Sequence, residues 1–135
     1  MRHTRLAPLG LAAVLAFASV LALRALPADA DDGPFTGPVA DRSTICMMQD
    51  SVQPRPGIDY EHEGKHYFLC CSMCEAKFKE SPASYTHAAD PVSGVKVDKA
   101  EAPIYAYQGR AFFFESKANL EKFAAAPAQY LRAHP

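Results

Sequence analysis

The chain has 135 residues, 49% of them hydrophobic and 21% charged, and a formal net charge of −1. That length holds one ordinary domain or two very small ones and leaves little room for a single large core. With no basic excess to attract nucleic acid or acidic lipid, neither is expected as a partner.

The N-terminus opens with Arg2 and Arg5, runs through an 18-residue apolar stretch from Leu6 to Leu23, and reaches Ala28-Asp29-Ala30. A basic start, an apolar middle and a small-residue end form the layout of a secretory signal peptide. Residues 1–30 are therefore expected to be removed on export, with the bacterial periplasm as the destination. An apolar run of about 17 to 25 residues can also span a bilayer, so membrane contact is expected only if this segment stays uncleaved. Its removal takes away three Arg and one Asp and leaves 105 residues with a charge of −3. Residues 31–43 contain Gly33, Pro34, Gly37 and Pro38 without apolar periodicity, and are read as a flexible leader.

From residue 44 onward the chain repeats itself. A shift of 45 residues lays Tyr60 on Tyr105, Gly64 on Gly109, Phe68 on Phe113, Lys77 on Lys122, Phe78 on Phe123, Pro82 on Pro127, Ala83 on Ala128 and Tyr85 on Tyr130. Each copy reads as an extended segment, a turn at Gly64 or Gly109, an aromatic strand (66–69 or 111–114) and a short helix ending near Pro82 or Pro127. Ser72-Met73-Cys74-Glu75 has the form of a capping box at the start of the first helix. The expected architecture is α+β: two small ββα modules in tandem after the signal peptide, spanning 44–87 and 88–135. Cores this thin, built mainly from Phe and Tyr, need a metal, a disulfide or a packed neighbour.

All four cysteines lie between Cys46 and Cys74. Cys70 closes the second strand of the first module and Cys74 falls in the first helical turn, so their sulfurs can face one point, with Cys46 reaching it from the segment before the hairpin. A helix N-terminus favours the thiolate, the form that binds metal. Soft thiolates select copper(I) or zinc over hard cations. Apart from the initiator, the methionines are Met47, Met48 and Met73, all beside these cysteines; thioether suits copper(I), so copper(I) is preferred and zinc is the alternative. Cys71 is open to three roles: fourth ligand, buried thiol, or redox partner of Cys74. His62 and His66, near the hairpin, are weaker candidates. In the second module Ser93, Glu115 and Asn119 stand where the first has Cys46, Cys70 and Cys74, which points to a structural copy without soft ligands.

Asp90-Pro91-Val92-Ser93-Gly94, Tyr107-Gln108-Gly109, Phe112-Phe113-Phe114-Glu115-Ser116 and the run from Phe123 to Tyr130 resemble the YHS domain and the related TRASH domain. The resemblance spans about 44–131 and implies a treble-clef-like fold with a role in heavy-metal, above all copper, sensing or trafficking. In its terms the first module's ligands fall on Cys46, Cys70 and Cys74, with Met48 at the family methionine. Thr44 and Ile45 replace the family's Asp and Pro, and Met47 replaces its Gly.

The expected function is thus an exported metal-binding protein that scavenges or traffics copper(I) or serves an exported metalloprotein or metal transporter. Two rivals come from other classes: a thiol-disulfide oxidoreductase using Cys71 and Cys74, and a disulfide-stabilised interaction domain. Without a Ser-His-Asp set, phosphate loop or carboxylate pair, enzymatic activity is not expected.

Overall fold

The computed structural model describes residues 35–133, so the expected signal peptide (1–30) lies outside the described residues. Among those residues no helix is long and apolar enough to cross a membrane. The described residues form a mixed α+β architecture with three sheets and three α-helices.

The strands are β1 (Gly37–Pro38), β2 (Ile45–Cys46), β3 (Ser51–Val52), β4 (Ile58–His62), β5 (Lys65–Leu69), β6 (His87–Ala89), β7 (Lys96–Asp98), β8 (Ile104–Tyr107) and β9 (Arg110–Phe113). The helices are α1 (Ser72–Glu80), α2 (Lys117–Ala125) and α3 (Pro127–Ala133). Among the described residues every strand pairing is antiparallel.

The hairpins β4–β5 and β8–β9 turn in the same way. Glu63 and Gly64 have φ of 52° and 74°, and Gln108 and Gly109 have 51° and 79°. Two consecutive left-handed residues make the tight turn whose twist matches that of the flanking strands, and glycine at the second position enters it without a Cβ penalty. Each hairpin runs directly into a helix, and α2 begins 45 residues after α1. Beyond the helices the halves diverge: Pro82–Ser84 forms a 3-10 turn, whereas Pro127 starts α3.

Phe78 of α1 is fully buried and meets Tyr67, Tyr60 and Tyr85 at ring-centroid distances of 5.2, 5.4 and 6.2 Å. Phe123 of α2 has the corresponding place, with Phe112, Phe114, Tyr105 and Tyr130 at 5.0, 5.3, 5.9 and 6.1 Å. Burying one such ring contributes on the order of 2 to 3 kcal/mol.

The two halves are more than neighbours. One sheet runs β1-β8-β9-β3-β2, so strands from before the first hairpin add to the second hairpin. The core around Phe78 also mixes Ile45, Cys46, Met47, Leu69 and Cys74 with Val97, Ile104, Ala111 and Phe113. Hairpin and helix alone bury too little apolar surface, and the shared core supplies the rest.

Two expectations need correction. The described part of the leader is ordered from Gly37: β1 pairs with β8, Val39 N–H donates to the Ile104 carbonyl at 2.9 Å, and Arg42 donates to the carbonyls of Lys99, Ala100 and Ala102. A short Gly-Pro edge strand needs no apolar period, because it pairs through backbone on one side only. The expected capping box does not form. Cys71, not Ser72, is the N-cap of α1, and Glu75 accepts from Lys79 Nζ at 2.6 Å instead of turning back.

Candidate metal centre

Cys46 lies in β2, paired with Ser51 of β3. The residue after it is held from two directions: Met47 N–H donates to the Phe68 carbonyl at 2.8 Å, and Lys99 Nζ donates to the Met47 carbonyl at 2.8 Å. Lys99 is only 4% exposed and also donates to Asp50 Oδ1. A buried ammonium so placed fastens the Cys46 turn to the second half of the chain. Cys70 follows the last residue of β5, and Cys74 sits on the first turn of α1.

The sulfurs of Cys46, Cys70 and Cys74 lie within 4.8 Å of one another, with Cys70 and Cys74 at 3.3 Å. Around a metal with sulfur bonds of about 2.3 Å, tetrahedral neighbours stand about 3.8 Å apart. The trio therefore closes on such an ion with sulfur movements of about 1 Å or less, and its donor set fits a soft cation. All four cysteines are free thiols.

Burial shapes their chemistry. Cys46 and Cys74 are buried and Cys70 is half-buried. Burial, aided by the neighbouring thiols, pushes the Cys70 thiol well up, and burial raises Cys74 as well. The expected thiolate-stabilising effect of the helix start does not reach Cys74. It acts on Cys71, the N-cap, whose exposed thiol is held below the ordinary thiol range chiefly by the Cys74 backbone amide, though the sulfur makes no capping hydrogen bond. The N-cap position sees the free amides of the first turn, while a residue within that turn does not.

Cys71 Sγ is 3.8 Å from Cys70 Sγ but does not join the group of three. Met48 is half-buried against the core that contains Cys46 and Cys74, and Met47 is fully buried there. Met73 is 68% exposed, so its thioether is turned to solvent. His66 pairs with Asp59 at 2.8 Å on the surface, and His62 lies edge-on to Phe78 at 6.1 Å. Neither histidine enters the cysteine group.

The second half has a polar centre at the matching end of its hairpin. Ser93 Oγ donates to Glu115 Oε2 at 2.8 Å. Asp90, 1% exposed, accepts from Val92 N and Ser93 N on one oxygen, and from Glu115 N and Asn119 Nδ2 on the other, at 2.7 to 3.3 Å. Ser116 caps α2 by accepting from Asn119 N at 3.2 Å. Hydrogen bonds there join the Asp90–Ser93 loop, the strand end and the helix start, as the thiols in the first half come from a strand, a strand end and a helix start.

Residues 88–134 match the YHS domain. The YHS segment thus contains Asp90, Ser93, Glu115 and Asn119, while the three thiols precede it and the expected first module, 44–87, lies outside the match. YHS domains are associated with metal binding, and in this chain the soft donors stand beside the YHS segment. No curated protein and no solved structure matches the chain.

Sequence reasoning missed Lys99, Arg42 and Asp90. Lys99 and Arg42 carry no local signature, since their partners lie about 50 residues away in sequence. Asp90 did have one: an Asp-Pro-x-Ser turn that offers backbone donors to the side chain.

Proposed function

We propose that this is an exported soft-metal binding protein that holds one copper(I) ion through Cys46, Cys70 and Cys74, with Met48 and Cys71 flanking the site. The observation that carries the reading is the meeting of three thiols from a strand, a strand end and a helix start within 4.8 Å. Copper(I) is favoured over zinc by the thioethers of Met47 and Met48 beside the thiols. In this reading the chain is a tandem of two related modules, the first binding metal and the YHS segment holding it in shape. The role is scavenging or delivery, with a metal transporter or an exported metalloprotein as the partner, and no catalysis is assigned.

Titration of the reduced protein with copper(I) against a chromophoric chelator tests this. One ion per chain is expected, with binding lost in a Cys70→Ser, Cys74→Ser double variant; no uptake, or full uptake by that variant, refutes it. The exposed Cys71 thiol, held below the ordinary thiol range, supports a second reading, thiol-disulfide exchange with Cys74. Against it stands the antiparallel pairing of all strands among the described residues, which differs from the βαβ order of thioredoxin-like folds. Reduction of insulin at a thioredoxin-like rate would favour that reading over metal binding.

A further inference from the structure

We propose that the thiol centre keeps one coordination position open to a cleft beside Cys70, and that this position takes a small thiol bearing a carboxylate, which Arg55 holds. The inference rests on the soft-metal reading above.

Three observations lead to it. Among the described residues the cysteine group has three members, so a metal that takes four ligands has one position left. Cys46 and Cys74 are buried, whereas Cys70 lines a cleft of about 350 Å³ with Gln53, Pro54, Arg55 and Pro56. That size lies at the low end of small-molecule sites, about 300 to 1,000 Å³, and is too small for a folded partner to enter.

The cleft wall is built in place. Gln53 N–H donates to the Thr44 carbonyl at 2.7 Å and Gly57 N–H to the Ser43 carbonyl at 2.8 Å, which fastens both ends of the loop. A Cβ on Gly57 would stand 2.5 Å from the Leu69 carbonyl oxygen, so only glycine lets the loop lie this close to the strand that ends at Cys70. Gln53 Nε2 is engaged with Ser51 Oγ at 2.9 Å. Between two prolines of fixed φ, Arg55 is the charged side chain lining the cleft, and no carboxylate among the described residues pairs with it.

Charge explains the need for it. Three thiolates around copper(I) leave a net charge of about −2, and a fourth thiolate adds another. A guanidinium at the rim offsets that charge and offers a planar fork to a carboxylate. On binding, a metal–sulfur bond forms, any water in that position leaves, and the thiol proton passes to solvent. No oxidation state changes.

The test uses the whole protein loaded with cobalt(II), whose visible absorption reports each added sulfur. It is titrated with 3-mercaptopropionate, which is anionic, and with 2-mercaptoethanol, which is neutral. The acid is expected to saturate the new charge-transfer band at about five-fold lower concentration, the span of one exposed ion pair. In Arg55→Gln the acid-to-neutral preference should fall about five-fold from its wild-type value, a comparison that cancels the different acidities of the two thiols. Cobalt uptake before thiol addition should be the same in both proteins. An unchanged preference in R55Q, no spectral change in cobalt-loaded protein, or removal of cobalt by either thiol overturns the inference while leaving the three-thiol site standing. Absence of any cobalt band before thiol addition overturns both.

Discussion

Replacing Asp90 with Asn tests whether a hydrogen-bonded carboxylate organises the segment that matches the YHS domain. All four partners of this carboxylate are donors: Val92 N and Ser93 N on Oδ1, Glu115 N and Asn119 Nδ2 on Oδ2. An asparagine offers one oxygen and one NH2 group, so in either orientation two donors face a donor. Each buried donor left without an acceptor costs about 1 to 3 kcal/mol, which puts Asp90→Asn at about 3 kcal/mol. For roughly 100 folded residues that is a fall in Tm of about 12 to 24 °C.

The pH dependence supplies a second readout. Burial alone would raise the Asp90 carboxyl, but the Asn119 amide and the backbone amides of Glu115, Val92 and Ser93 outweigh it and hold the group below 3.8. A depressed folded pKa gives stability that is present above the unfolded value and lost as pH falls through the folded one. The gap between wild type and Asp90→Asn should therefore be constant above about pH 5 and narrow below about pH 4. Urea unfolding followed by circular dichroism on metal-free, reduced protein measures both. A loss of less than about 1 kcal/mol would refute the reasoning, because it would mean those donors find acceptors without the carboxylate.

Lys99→Met removes the cation that binds the Met47 carbonyl and Asp50; it should cost about 2 to 4 kcal/mol and weaken metal uptake, read by denaturation and by chelator competition on the same samples. Gly57→Ala places a Cβ 2.5 Å from a backbone oxygen and should destabilise by about 1 to 3 kcal/mol, measured as a lower urea midpoint. Metal uptake should strengthen with rising pH. Burial raises both Cys70 and Cys74, so both enter the reaction protonated, and the logarithm of the apparent affinity should climb with a slope of about 2 between about pH 6 and 8 from these thiols alone. A flat profile would show that they do not ligate.

Much of the fold could be read along the chain because its signals are local. Gly64 and Gly109 mark turns that need positive φ, and the aromatic runs beside them form the second strands. Phe78 and Phe123 occupy equivalent helix positions, and Tyr85 and Tyr130 return to them. Reading Ser72 as a cap failed because Ser-x-x-Glu fits the pattern, while the chain enters α1 one residue earlier, at Cys71. The aligned residue, Ser116, does cap α2.

The candidate site divides in the same way. Cys70 and Cys74 are four residues apart across a strand end and a helix start, and chain geometry alone brings them near each other. Cys46 is different. Its place beside them depends on the β2–β3 pair, the Met47–Phe68 hydrogen bond and the Lys99 ammonium from the other half of the chain. Met73 adjoins Cys74 in sequence yet is turned to solvent, since neighbours on a helix point in different directions.

What the amino-acid order determined by itself was the set of turns, the aromatic anchors and the supply of soft donors, because each depends on a residue's own backbone freedom or chemistry. The tertiary structure alone decided that the segment around residues 37–44 is ordered, that the two halves share a sheet and a core, and that Cys46 meets Cys70 and Cys74. Those outcomes depend on contacts between residues tens of positions apart, whose energies become available only once the chain has closed the loops between them.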